Sequence, residues 1–215
     1  MTNDEKQMRK SRYISQKTNE LMLVYDIDRN RQKQISGETG LAVWSVGSHL
    51  ANRPERILRE ALWLEENVWN VVNGRYMRSM AKTPVYTGAQ LLELYMKDLK
   101  KIFEEDPRYY VLDSELKAYF RRYTDTFWKE YRQHLDFGGC REVMENIYRL
   151  GMEDQTLKSM PDPETEADFL CRVYFGFLSR MARIYEYQPK EALKQIDQYI
   201  EQVLLLYSTG KAKAG

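Results

Sequence analysis

Catalysis needs nucleophiles, titratable groups or metal ligands at fixed spacing, and this sequence offers few such arrangements. It holds two histidines, His49 and His134, and two cysteines, Cys140 and Cys171. None of the four belongs to an HExxH or CxxC pattern, and no carboxylates cluster at metal-ligand spacing. There is no glycine-rich phosphate loop and no serine or cysteine in a nucleophile elbow. Asp136-Phe137-Gly138 matches a kinase tripeptide, but its companion motifs are missing, so it reads as a helix C-terminus. The expectation is a protein that is not an enzyme and carries no metal or cofactor. The cysteines read as reduced, half-buried fillers.

Aromatic side chains carry more information: 16 Tyr, 7 Phe and 4 Trp. Leu116, Tyr119, Phe120, Tyr123, Phe127 and Tyr131 form one stripe at helical spacing. Such a stripe is core by default. Many of these rings are tyrosines, however, and each buried hydroxyl needs a partner. A helical bundle lined this way suits an apolar pocket with a few orienting polar groups. Trp69, Tyr76, Tyr95, Tyr110 and Tyr174 could join Tyr119, Phe120, Tyr123 and Phe127 in its wall. The expected occupant is a small apolar or aromatic molecule.

The elements that must position these groups are all helical. Apolar residues recur at i, i+3 and i+4 almost throughout, and no segment alternates for long as a strand would. The pattern predicts an all-α chain of about nine helices, three short and then six longer. Residues 34–55, "QISGETGLAVWSVGSHLANRPE", read as helix, tight turn at Gly40, and a second helix over Ala42–Leu50. Asn52 with Pro54 then opens a long helix through "ILREALWLEENVWNVVNGRYM", presenting Ile57, Ala61, Leu64, Val68 and Val72 on one face. Thr87 and Gln90 form a capping box for a helix that stops at Asp106-Pro107. A helix through "SELKAYFRRYTDTFWKEYRQHL" ends near Gly138-Gly139, and "REVMENIYRLGME" follows. Asp162 caps a helix beginning at Pro163, and Pro189 starts the last one.

Those final two helices carry wide apolar stripes. Either both pack fully inside or, as favoured here, they form half of a four-helix interface with a second copy, through Phe177, Met181, Tyr199, Val203 and Tyr207. The tail "STGKAKAG" has no apolar anchor and reads as frayed.

Overall composition fits these elements. The 215 residues are 43% hydrophobic and 30% charged, with a formal net charge of +1. Residues 1–60 hold 11 Lys or Arg against 8 Asp or Glu, and the remainder 22 against 24. A mild basic bias at one end is compatible with a phosphate-binding module. The start has no apolar core of a secretory signal, and no stretch approaches the roughly 20 apolar residues that span a bilayer. A cytoplasmic protein without membrane contact is expected.

A helix-turn-helix among three short helices, followed by longer ones, resembles the TetR/AcrR family of bacterial regulators. Met22, Ile35-Ser36, Thr39-Gly40-Leu41, Ser45 to Leu50 and Arg53 fall without a gap on the family's N-terminal pattern. The stretch "REVMENIYRLGMEDQTLKSMPDPETEADFLCRVYFGF" is similar to its C-terminal half. The resemblance implies a DNA-binding domain over 1–53, a ligand-binding and dimerisation domain over 54–208, and a flexible tail over 209–215. It implies a homodimeric regulator, a repressor by default, on near-palindromic double-stranded DNA, released by a small, largely apolar effector. Carried over by position, Arg53 is the best phosphate contact, with Ser45, Ser48 and His49 as polar ones. Arg29, Arg31 and Lys33 flank the start of the second helix, and Arg12, with Lys6, Arg9 and Lys10, could form a minor-groove arm.

The departures are specific. Asp26 replaces a usual glycine, Arg31-Gln32 stands where Thr-Val is usual, and Gly47 replaces the tyrosine that usually touches a phosphate. Val43 and Trp44 replace small residues, so base reading would rest on these two against thymine methyls. The alternative is a small-molecule-binding or protein-interaction module on the same scaffold, with a degenerate DNA-binding head.

Overall fold

A computed structural model of the chain describes residues 6, 9, 13, 17, 32–49, 64–80, 86–122 and 138–210. Among them are eight α-helices and no strand beyond one isolated bridge, Leu157 with Ser208. The all-α expectation holds. The chain divides into two compact units, Met1–Glu65 with Leu112–Leu135, and Glu66–Val111 with Asp136–Gly215.

In the first unit α1 spans Gln32–Thr39 and α2 spans Val43–His49. Lys6, Arg9, Tyr13 and Lys17 are also helical, at spacing that places them on one face. The apolar face expected from Ile14, Thr18, Leu21, Met22 and Tyr25 lies outside the described residues.

The second unit begins at Glu66, inside a π-helical turn, Glu65–Trp69, that runs into α3, Asn70–Met80. It continues with α4, Gly88–Glu105, α6, Gly138–Glu153, α7, Pro163–Tyr185, and α8, Pro189–Tyr207. Between α4 and α6 in the chain comes α5, Arg108–Arg122. Helix α6 packs on α3, α4 and α7, while α8 packs on α4 and α7. Seven apolar side chains of α4, from Leu91 to Phe103, are buried at helical spacing. Each contributes about 1.5–3 kcal/mol if fully withdrawn from water.

Local chemistry explains the helix ends. Thr87 Oγ1 accepts from Gln90 N at 3.3 Å, and Gln90 Oε1 accepts from Thr87 N at 2.9 Å, completing the predicted capping box. The turn after α6 adds a second cap from a distance. Asp154 Oδ2 accepts from Gly88 N at 2.7 Å, and Thr156 Oγ1 accepts from Ala89 N at 3.1 Å. A Cβ on Gly88 would lie 2.2 Å from Gly151 Cα, so two glycines permit this close approach. Asp162 caps α7, accepting from Thr165 N at 3.3 Å with Pro163 in the first turn, as expected.

Three boundaries differ from expectation. Asp106 ends α4 but also caps α5, accepting from Arg108 N at 3.0 Å, so α5 starts at Arg108 instead of near Ser114. Gly138 and Gly139 open α6, which starts before the expected Arg141, and the end of the preceding helix lies outside the described residues. The π turn inserts one residue into the long helix, rotating its face. Leu64, Trp69, Val72 and Tyr76 are buried, while Val68 is only half-buried. Thr209, placed in the tail by sequence, is pinned: its N–H donates to Thr156 O at 3.0 Å and its hydroxyl to Gln155 O at 2.8 Å. The predicted edge between residues 53 and 54 lies outside the described residues.

Candidate functional site

Two places hold the predicted site residues: the helix-turn-helix and the aromatic interior of the larger unit. In the helix-turn-helix, Ile35 and Val46 are fully buried with half-buried Leu41 against them. Gly40 has φ +65°, the left-handed conformation that lets the chain leave α1. Thr39 reaches across this turn, donating to Ile35 O at 2.6 Å and accepting from Leu41 N at 3.3 Å. Ser36 Oγ donates to Leu41 O at 2.5 Å. These bonds fix the entry of α2, whose first turn closes on Ala42 O.

That entry decides which side chains face outward. Trp44 is 78% exposed and Val43 is 41% exposed, so both predicted apolar contacts stand on the surface of this unit. Lys33 is exposed as well. Ser45 corrects the expectation: at 3% exposure it lies beside Val46 inside the unit and offers no hydroxyl outward. Consecutive helix positions point about 100° apart, so periodicity does not place Ser45 beside Val46; the packing of α2 within the unit does. Ser48 and His49 lie on the helical backbone of α2, with side chains outside the described residues. Arg12, Arg29, Arg31 and Arg53 lie outside the described residues, as does Lys10.

The predicted ring wall is largely core. Trp69, Tyr76, Tyr95, Tyr110 and Tyr174 are all buried. Trp69 meets Tyr110 at 5.0 Å and Phe175 at 5.1 Å between ring centroids, and Tyr110 meets Phe175 at 5.5 Å. Their hydroxyls are committed within the unit. Tyr110 donates to Leu99 O and Tyr95 to Asn73 Oδ1, both at 2.7 Å. Tyr174 donates to Met96 O at 3.0 Å and Tyr76 to Asp98 Oδ2 at 2.9 Å. Burial, and then the neighbouring Cys140 and Cys171, hold the Tyr95 phenol far above its ordinary pKa. Burial, with the Asp98 carboxylate second, does the same to Tyr76. None of these rings offers a proton to solution near neutral pH. Tyr119 and Phe120 lie on α5 with side chains outside the described residues, and Tyr123, Phe127 and Tyr131 lie outside them altogether.

Sequence reasoning missed Asn73. It accepts from Tyr95 and donates to Cys140 Sγ at 3.5 Å, making it the orienting polar group of this interior. Its position four residues after Trp69 and three before Tyr76 was the available signal. The cysteines are fully buried, not half-buried.

A cleft of about 220 Å³ opens beside α3 and α4, lined by Val68, Val71, Arg75, Lys101, Glu105 and Tyr109 among others. None of the predicted ring residues lines it.

On α7 and α8, Met181, Val203 and Tyr207 are buried inside the unit, which corrects their expected place at a surface between copies. Phe177 and Tyr199 are half-buried and stack on each other at 4.6 Å. The apolar side chains left outward are Phe169, Val173, Leu205 and Leu206, of which Leu205 is 79% exposed. Every one of these four was legible as apolar, but the sequence could not say which edge of each stripe would remain uncovered. No described helix is long and apolar enough to cross a membrane.

No protein-family model and no curated relative matches the sequence. Solved structures do match the fold. A TetR-family transcriptional regulator from Mesorhizobium loti superposes with TM-score 0.65 at 14% identity, over 97% of this chain and 100% of that one. SmeT, the repressor of the Stenotrophomonas maltophilia multidrug efflux pump SmeDEF, gives TM-score 0.58 at 16% identity, over 94% and 92%. SmeT in complex with triclosan gives 0.60 at 16% identity, over 94% and 93%. Over nearly its whole length the chain has the fold of TetR-family transcriptional regulators.

Proposed function

We propose that the chain is a homodimeric, effector-responsive transcriptional repressor that binds a near-palindromic operator through α1 and α2. The supporting observation is the outward pair Val43 and Trp44 on the second helix of a helix-turn-helix, in a chain that shares its full-length fold with regulators. Trp44 and Val43 would lie against thymine methyls, while Lys33, Arg29, Arg31, Arg53 and Arg12 would contact phosphates and supply most of the affinity. Ser48 and His49 remain the polar contributors on α2. The effector would be small and largely apolar, as triclosan is in the SmeT complex. It would act by binding the non-operator state more tightly than the operator state. The second copy would cover Phe169, Val173, Leu205 and Leu206. The fold is that of a regulator, and no catalytic role is proposed.

The test is binding to DNA upstream of the protein's own gene across a salt series. Affinity should fall steeply with salt. Arg53→Ala should weaken binding to all sequences alike, whereas Trp44→Ala should also flatten the preference among them. No binding at low salt removes the repressor reading.

One observation favours a second reading, a protein-interaction module with a degenerate head. Trp44 is a large apolar side chain almost fully exposed, and the polar Ser45 next to it faces inward. Trp44 fluorescence that responds to a protein partner but not to operator DNA would favour this reading.

A further inference from the structure

The cleft beside α3 and α4 belongs to neither of the predicted sites. Its lining is apolar in the middle: Val72 and Ile102 are buried, Val68 is half-buried, and Val71 is 49% exposed. The π turn Glu65–Trp69 supplies part of this wall, since Trp69 goes inward while Asn67 and Val68 line the cleft. Turns of this kind recur at functional sites. At about 220 Å³ the space is smaller than the roughly 300–1,000 Å³ of a site for drug-sized molecules. Its occupant is therefore small.

Four charged side chains line the same space: Arg75, Asp98, Lys101 and Glu105. Two of them answer each other. Asp98 Oδ1 accepts from Lys101 Nζ at 2.7 Å, and its Oδ2 accepts from the Tyr76 hydroxyl at 2.9 Å. The other two, Arg75 and Glu105, are exposed and opposite in sign, and pair neither with each other nor with another described residue. They stand at different ends of the cleft. Helices α3 and α4 run antiparallel here, because Tyr76 meets Asp98 while Trp69 meets Tyr110, beyond the α4 C-terminus. Arg75, next to Tyr76, is thus at the Asp98 end. Glu105 lies seven positions further along α4, roughly 10 Å away along the axis.

We infer that this cleft binds a small zwitterion whose carboxylate and ammonium are separated by an apolar spacer. The carboxylate pairs with Arg75, the ammonium with Glu105, and the spacer lies on Val68, Val72 and Ile102. Other classes answer less of the site. A simple anion leaves Glu105 unanswered, a simple cation leaves Arg75, and a neutral apolar molecule leaves both. An α-amino acid carries both charges at one end and reaches only one of the two side chains. The four charges of the cleft sum to zero, which suits an occupant with no net charge. The cleft is separate from the ring-filled interior, and the proposal is independent of whether the chain binds DNA.

The test uses the full chain and three probes of matched length: 6-aminohexanoate, hexanoate and hexylammonium. Titrations followed by methyl proton–carbon spectra should move the Val68, Val71, Val72 and Ile102 signals saturably. 6-Aminohexanoate should bind roughly fivefold tighter than either singly charged probe, the gain from one further ion pair at an exposed edge. In Arg75→Gln its advantage over hexylammonium should fall to near one, and in Glu105→Gln its advantage over hexanoate should do so. Both side chains are exposed and have no described partner, so the fold should tolerate either change, and methyl signals away from the cleft check this. Three outcomes each overturn the proposal. They are no saturable movement of the cleft methyls at tens of millimolar probe, equal binding of the three probes, and an advantage that survives removal of its matching side chain.

Discussion

In the helix-turn-helix the described core is Ile35 and Val46 with Leu41 beside them, and the neighbouring tryptophan, Trp44, is 78% exposed. In the larger unit Trp69 is buried among Tyr110 and Phe175, and successive tyrosines give their protons to Asn73, Leu99 and Met96. The same residue type therefore serves opposite ends in the two regions. Around the Gly40 turn the bonds of Ser36 and Thr39 hold the two helices while the Trp44 ring stays outside. A bundle of long helices must fill its interior, and rings fill it only if their polar tips are answered. Tightness in one region and open space in the other should show up directly in mutants.

The largest effect is expected at Gly88. In Gly88→Ala the new methyl would overlap Gly151 backbone at 2.2 Å, forcing α4 from α6. Loss of about 3 kcal/mol in urea unfolding, the upper end for overpacking, is expected. If the variant is as stable as the parent, the close approach of these helices is wrong.

Next comes Tyr95→Phe, which leaves Asn73 Oδ1 without its 2.7 Å donor inside the bundle. Unfolding should register a loss of about 1–2 kcal/mol.

The glycines of the helix-turn-helix sharpen the contrast. A Cβ on Gly37 meets nothing within 4 Å, so Gly37→Ala should stabilise by about 0.5–1 kcal/mol through better helix propensity. Gly40 also has open space, but its φ of +65° makes Gly40→Ala destabilising by about 1 kcal/mol. Opposite signs at two sites of equal room would separate backbone conformation from packing. Thermal melts of the two variants read this directly.

The smallest effect is at the start of α7. Hydrogen bonds from the Thr165 hydroxyl and backbone N–H lower the Asp162 carboxyl below its ordinary value of 3.8. A carboxyl depressed in the folded state contributes stability that is present above its unfolded value and lost as pH falls through the folded one. Asp162→Asn should match the parent near neutral pH, since Asn also caps, and should lose less stability in acid. Melting temperatures from about pH 6 down to about pH 2.5 would show whether the two curves separate as expected.

Much of the fold was legible because its signals are local. Thr87 with Gln90, Asp162 with Pro163, and Pro189 each state a helix start within four residues. Asp106-Pro107 shows the limit of such signals. The same dipeptide that opens α7 at 162–163 here both ends α4 and opens α5, and only the stop was read. Asp154 and Thr156 capping a helix 66 and 67 residues away leave no local trace, because the partners meet only after α4 and α6 pack.

The candidate site divides along the same line. Composition and periodicity determined that the chain is helical, that a turn at Gly40 joins two short helices, and that rings fill the larger unit. These follow from φ preferences and apolar spacing, which each segment carries by itself. Tertiary structure alone decided that Ser45 faces inward, that Met181, Val203 and Tyr207 are interior while Leu205 and Leu206 are not, and that a π turn turns Trp69 into the core. An apolar stripe tells which residues can be buried. Which of them are depends on the partner helix that arrives, and a one-residue insertion in a helix rotates every side chain beyond it by about 100°.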